Sequence, residues 1–220
     1  MSVIKRIQYN SPVILTYALL SLIVCGVNYL TKGMTNQLFF SIYRSSPANP
    51  LTYVRLIGHV FGHADIYHYF ANFMIILLVG PMLEEKYGSL RILIMMLITA
   101  VITGLIFLLF SSKTALLGAS GIAFMLILLS SFTNFKRGMI PITLILVIIA
   151  YIGNEVYQGF ADADNISHLT HIIGGLCGAV AGYFINSSRI KAEEKPAGSP
   201  ADEVQPAESP VAAGSTTKES

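Results

Sequence analysis

The sequence predicts an all-α fold, a polytopic membrane protein of six transmembrane helices. Three observations carry that prediction and point to a site. Of the 220 residues 54% are hydrophobic and 12% charged, which is membrane composition. The apolar residues fall in blocks at 11–30, 66–83, 90–110, 115–132, 139–157 and 166–185, near the roughly 17 to 25 residues a helix needs to cross hydrocarbon. Ser120 and His171 stand inside two of these blocks. Polar groups in hydrocarbon are costly, and they face the protein interior or a wet cavity.

Residues 1–10 form a polar lead, read as cytoplasmic because Lys5 and Arg6 precede the first span. That span is long and lacks a convincing small-residue cleavage site, so it is expected to stay in place. Lys86 with Arg91, Lys136 with Arg137, and Arg189 with Lys191 then fall on the inner side. The outer side carries Lys32, Arg44, Arg55 and Lys113, and Asp162 and Asp164 precede the last span. An even number of spans puts both termini in the cytoplasm. The loop 31–65, with Pro47, Pro50 and several aromatics, is too long for free coil and is expected to pack on the outer face or dip into the interface. A helical domain over 11–189 is followed by a tail, 190–220, rich in Ala, Pro, Glu, Ser and Gly; that composition cannot bury a core and predicts disorder. Cys25 and Cys177 lie in apolar spans without a CxxC spacing and read as small buried residues. The net charge of +2 comes without a basic, aromatic-interleaved patch, so nucleic acid is not expected as a partner.

The chemistry gathers at the starts of spans two, four and six, which all run from outside to inside. Asp65 is placed to cap the second span, and His68 and Asn72, four residues apart, share a helix face. Counting inward, His68 to Leu83, Ser120 to Phe135 and His171 to Asn186 are each fifteen steps, about 22 Å of helix. Against a hydrocarbon core of about 30 Å, the three groups share a depth roughly 8 Å below the outer edge. Gly174, Gly178 and Gly182 recur every four residues, a stripe that lets membrane helices approach closely. Gly118 and Gly121 bracket Ser120 and can supply the backbone angles of a loop-to-helix turn. At such a turn the serine's amide lies at a helix N-terminus, where negative charge is favoured.

Each motif alone is compatible with ordinary packing; their agreement in side and depth makes them a site. His171 is preferred over His168 as the base because the glycine stripe follows it. His59 and His63 are four apart, but no Asp or Glu completes a ligand set and HExxH is absent, so neither metal nor cofactor is expected. Glu84 and Glu85, and Glu155 with Gln158, read as interfacial.

These residues resemble the rhomboids, a family of intramembrane serine proteases. The similarity covers roughly residues 50–186. Arg55-Leu-Ile-Gly-His59-Val-Phe-Gly-His63 followed by His68-Tyr-Phe-Ala-Asn72 is similar to the family's first-loop and second-helix pattern. Ser120 in Gly-Ala-Ser-Gly matches the nucleophile, and His171 with Gly174 and Gly178 matches the base and its close-packed helix. Glu84 and Gly88 resemble the family's inner-end motif after the second helix, which implies a structural role. The resemblance implies an oxyanion hole of His68, Asn72 and the Ser120 amide, and a first loop lying partly in the membrane. One position departs: where many relatives carry Tyr, this chain has Phe124, whose ring can still pack on His171. The layout resembles the minimal bacterial form, which implies an inner-membrane protein with its site opening outward.

The expected activity is therefore hydrolysis, by a Ser-His dyad, of single-span or polytopic transmembrane proteins taken from the lipid bilayer. A non-catalytic relative that binds or escorts transmembrane clients is the alternative. A small transporter is disfavoured, since charged residues do not line a full path through the bilayer.

Overall fold

The structure, a computed structural model, describes residues 8–110, 114–132, 139–140, 142–153, 156–157 and 165–193. The described helices are α1 (Pro12–Leu30), α2 (Pro50–Gly58), α3 (Ile66–Tyr87), α4 (Ser89–Phe110), α5 (Ser120–Ser131), α6 (Ile142–Val147) and α7 (Asn165–Glu193). A π-helical turn, Ile148–Ile152, continues α6, and another, Asn36–Phe40, lies in the first loop. Lys5, Arg6, Lys113, Lys136, Arg137, Glu155, Gln158, Asp162 and Asp164 lie outside the described residues, as does the tail from 194. The fold is an all-helical membrane bundle. α1, α3, α4 and α7 are long and apolar enough to cross a membrane; α5 and the segment Ile142–Ile152 are shorter apolar helices.

Local chemistry sets the helix ends. Pro12 sits in the first turn of α1, where its missing N–H is no loss. Asn49 caps α2 by accepting from the Leu51 amide, and Pro50 opens it. The Asp65 side chain accepts from the His68 amide at 2.8 Å, so the cap read from the sequence is in place. α3 ends at Gly88, whose φ of +87° suits glycine, and α4 begins at the next residue.

Glu84 corrects the sequence expectation. It is buried, not interfacial, and its carboxylate accepts from the Val13 and Ile14 amides of α1 at 3.0 and 2.9 Å and from Ser89 Oγ at 2.6 Å. A helix leaves its first amides without partners, and here a neighbouring helix supplies the acceptor. Glu85 is exposed. Around this clamp Tyr17, Phe73, Ile76, Leu83, Ile92, Met125 and Leu126 form one buried core shared by α1, α3, α4 and α5.

The first loop is structured, as its length suggests. α2 packs on α4 and on the π-helical turn. The loop is tied to α1 by Tyr17 Oη donating to the Val60 carbonyl at 2.7 Å and by the Asn36 amide donating to Asn28 Oδ1 at 3.0 Å. Among the boundaries that differ from the sequence reading, α3 runs to Tyr87, past 83, and the fifth block is helical from Ile142 instead of 139. Two others bear more on the site. α7 runs on to Glu193, past 185 and into the start of the predicted tail. α5 begins at Ser120 instead of 115, because Leu116 exchanges both backbone hydrogen bonds with Ile42 of the first loop, each at 2.9 Å. Twelve residues of helix cover about 18 Å, well short of a hydrocarbon core of about 30 Å. Irregular backbone at such depth is tolerated only when protein covers it, and the first loop covers this stretch.

Glu84→Ala removes the acceptor of three donors. At about 1–3 kcal/mol for each donor left unsatisfied, the loss should be about 3 kcal/mol or more, read as a clear fall in the melting midpoint in detergent. An unchanged midpoint would mean that solvent serves the α1 amides equally well.

Candidate active site

Ser120 is the first residue of α5, so its amide has no acceptor within the helix. The turn before it needs glycine at one position. Gly118 has a φ of +132°, and a Cβ there would come within 2.9 and 3.0 Å of the His68 ring and 3.8 Å of Asn72 Nδ2. His68 and Asn72 thus lie directly against the backbone that precedes the serine. Asn72 Nδ2 also donates to the His68 carbonyl at 3.1 Å. Gly121 plays a different part from the one read in the sequence: its φ is not positive, and its use is close packing.

That packing brings in α7. A Cβ on Gly174 would overlap the Gly121 carbonyl, and one on Gly178 would overlap the Met125 carbonyl. A Cβ on Gly182 would press into the Phe132 ring at 2.8 Å. The stripe therefore faces α5 and not lipid. Four residues on α7 correspond to four on α5, so the two helices run parallel with their backbones in contact. The register carries His171 to the start of α5, where its Nε2 lies 2.8 Å from Ser120 Oγ. Phe124, one turn into α5, stacks on the imidazole at 4.9 Å between centroids and 7° between planes. The ring of His168 is 6.3 Å from that of His171 and nearly perpendicular to it; the hydrogen bond to the serine belongs to His171.

Two residues in the first loop were not given a role by the sequence reading. The His59 carbonyl accepts from the Gly118 amide at 3.0 Å, and His63 Nε2 accepts from the Ala119 amide at 3.4 Å. Burial pushes both imidazoles down to about 4, so each ring is neutral near pH 7. His63 Nδ1 then donates to the Phe61 carbonyl at 3.2 Å and His59 Nδ1 to the Arg55 carbonyl at 3.2 Å, a tautomer that leaves His63 Nε2 free to accept. The pair that looked superficially like metal ligands holds two consecutive amides just before Ser120.

A family model for the rhomboid domain matches residues 50–188, which spans both Ser120 and His171 and most of the chain. The chain belongs to the rhomboid family. It is similar to "Rhomboid-related protein 2" of Mus musculus, 28% identical over 160 residues, covering 63% of this chain and 53% of that protein. It is also similar to "RHOMBOID-like protein 6, mitochondrial" of Arabidopsis thaliana, 30% identical over 129 residues, covering 56% of this chain and 41% of the relative. The chain thus spans about half the length of these two rhomboids.

Gly174→Val should separate α5 from α7, because the new side chain has only the Gly121 carbonyl to displace. The melting midpoint in detergent should fall and fluorophosphonate labelling of Ser120 should drop with it. Wild-type melting and labelling would mean that the helices tolerate a wider spacing than this contact implies.

Proposed function

We propose that this rhomboid is an intramembrane serine endopeptidase working through a Ser120–His171 dyad. The observation that carries the reading is the 2.8 Å contact between His171 Nε2 and Ser120 Oγ, within the roughly 2.6 to 3.2 Å that proton transfer requires. With the ring proton on Nδ1, Nε2 takes the hydroxyl proton as the serine oxygen attacks a scissile carbonyl. The developing oxyanion is met by the Ser120 amide at the helix N-terminus, by the His68 ring and by the second amide proton of Asn72. Collapse breaks the peptide C–N bond, with His171 returning the proton to the departing amine. Water, deprotonated by the same imidazole, then releases the acyl group. The stack on Phe124 supports the orientation of the ring, a task that an acidic residue performs in triads.

The substrates on this reading are single-span or polytopic transmembrane proteins. They are cut near the outer end of a helix that unwinds readily, because a helical backbone hides its carbonyls. The topology with both termini in the cytoplasm and the site opening outward rests on the charge distribution of the loops, and the placement in a bacterial inner membrane rests on the layout's resemblance to the minimal bacterial form. The short α5 supports a site sunk below the membrane surface and reached by water from one side.

Ser120→Ala and His171→Ala should each abolish cleavage of a tagged single-span reporter and labelling by a fluorophosphonate. The double variant should be no worse than either single one, since groups acting as a unit are not additive. Activity retained in His171→Ala and lost in His168→Ala would reassign the base; absence of both labelling and cleavage in the wild type would favour the client-binding alternative.

His68→Ala and Asn72→Ala should lower kcat by up to about a hundredfold or more, as for other lost oxyanion donors, with KM little changed. Unaltered kcat in both variants would return these residues to a purely structural role.

A further inference from the structure

The base of the proposed dyad is oriented by a ring, and that ring is in turn braced from the fifth span. Phe124 lies nearly parallel to His171. It also meets Tyr151 at a centroid distance of 5.9 Å and an interplanar angle of 85°. Such a perpendicular pair sets the positive edge of one ring against the negative face of the other, a contact with a preferred geometry. Phe124 carries no hydroxyl and is held by packing alone, so a stacked partner is only as well oriented as the contacts behind it.

Tyr151 belongs to the π-helical turn Ile148–Ile152, a segment in which no residue is buried. In α6, which leads into it, the buried residue is Leu144. Tyr151 itself is 40% exposed. A π-helical turn shifts the register of a helix face, and such turns occur frequently at functional sites; here it aims an aromatic ring at the residue that backs the base. α5 and α7 are locked backbone to backbone, whereas the fifth span reaches the neighbourhood of the dyad through a side chain.

We infer that Tyr151 is a positioning residue for His171, acting through Phe124, so that the fifth span's placement is felt at the base. The inference rests on the dyad reading given above. Removing the Tyr151 ring leaves Phe124 free to tilt and loosens the imidazole relative to Ser120 Oγ. The chemical step slows while substrate binding is retained.

The test uses the full chain in detergent, reading the rate of Ser120 inactivation by a fluorophosphonate and the kcat and KM for a labelled single-span reporter. Tyr151→Ala should slow inactivation and lower kcat by about two- to tenfold, the range expected for one aromatic pair, with KM within about twofold. Tyr151→Leu, which keeps bulk but no ring, should behave in the same way and stands in if the alanine variant does not fold. Tyr151→Phe should restore the rate. In a Phe124→Leu background, Tyr151→Ala should have little further effect, because the path between them is already cut.

Inactivation at the wild-type rate in Tyr151→Ala and Tyr151→Leu would overturn the inference. So would a full additional loss in the Phe124→Leu background, or a change confined to KM. A wild-type protein that is neither labelled nor active defeats the dyad reading itself, whereas labelled Ser120 with indifferent Tyr151 variants defeats this inference alone.

Discussion

The contact between α5 and α7 is the constraint on which the rest of the site depends. Side chains ordinarily hold helix axes about 8–10 Å apart. Serine is short, and a hydrogen bond of 2.8 Å between Ser120 and His171 needs helices closer than usual. Gly174 and Gly178 allow that approach by presenting bare backbone to the Gly121 and Met125 carbonyls. Because the helices are parallel, the same contact that sets their distance also sets their register. At the C-terminal end of α5 the register is fixed again: Asn186 of α7 donates to the Phe132 carbonyl at 2.8 Å, serving an acceptor that the end of α5 leaves open.

Ser120 at the start of a helix creates a second requirement, since the chain before it is irregular and its backbone groups need partners. The first loop supplies them: Ile42 for Leu116, the His59 carbonyl for Gly118 and the His63 ring for Ala119. Its own position is secured by α1, through Tyr17 to Val60 and through Asn28, Asn36 and the His63 carbonyl. α1 is in turn capped by Glu84 at the opposite end of the bundle. A continuous set of hydrogen bonds and packed side chains therefore runs from the start of α1 and the end of α3 to the turn that holds Ser120. The length of the first loop follows from this: it must reach both the end of α1 and the segment before α5.

Much of the fold could be read from hydropathy alone. The apolar blocks correspond to α1, α3, α4, α5, α6 and α7; for α1, α3, α4 and α7 block length matches what a membrane crossing needs, while α5 and the segment Ile142–Ile152 are shorter than their blocks. Ser120, His171, His68 and Asn72 stood out because polar groups in such blocks are costly, and counting steps along straight helices put Ser120, His171 and His68 at one level. The short start of α5 was not legible, since residues 115–119 are as apolar as the helix that follows and only the pairing of Leu116 with Ile42 excludes them. Position alone read Glu84 as interfacial, because a carboxylate near a helix end is usually solvated; the family resemblance implied a structural role, but nothing in the sequence near it reveals that the α1 amides come to meet it. Tyr151 and the two loop histidines meet partners distant in sequence, so spacing carried no signal for them.

On the proposed reading the site has two unlike sides, and the difference follows from what a peptide bond taken from a membrane requires. The serine, the base and the oxyanion donors must keep their geometry through the reaction, so they stand on α3, α5 and α7, whose contacts are carbonyl against glycine and ring against ring. A substrate helix must also come alongside, which a bundle packed with equal density on every side would not permit. Among its described residues the fifth span is held by side chains: Leu144 is buried, Val147 and Ile152 are half-buried against Ile127, Leu128 and Phe132, and residues 148–151 are exposed. Such side-chain contacts can slide where a carbonyl set against glycine cannot, but the inferred brace from Tyr151 to Phe124 ties any displacement of this span to the base. A bundle built this way holds Ser120 and His171 in register through α5 and α7 and, on the inferred reading, makes the fifth span's placement felt at the dyad.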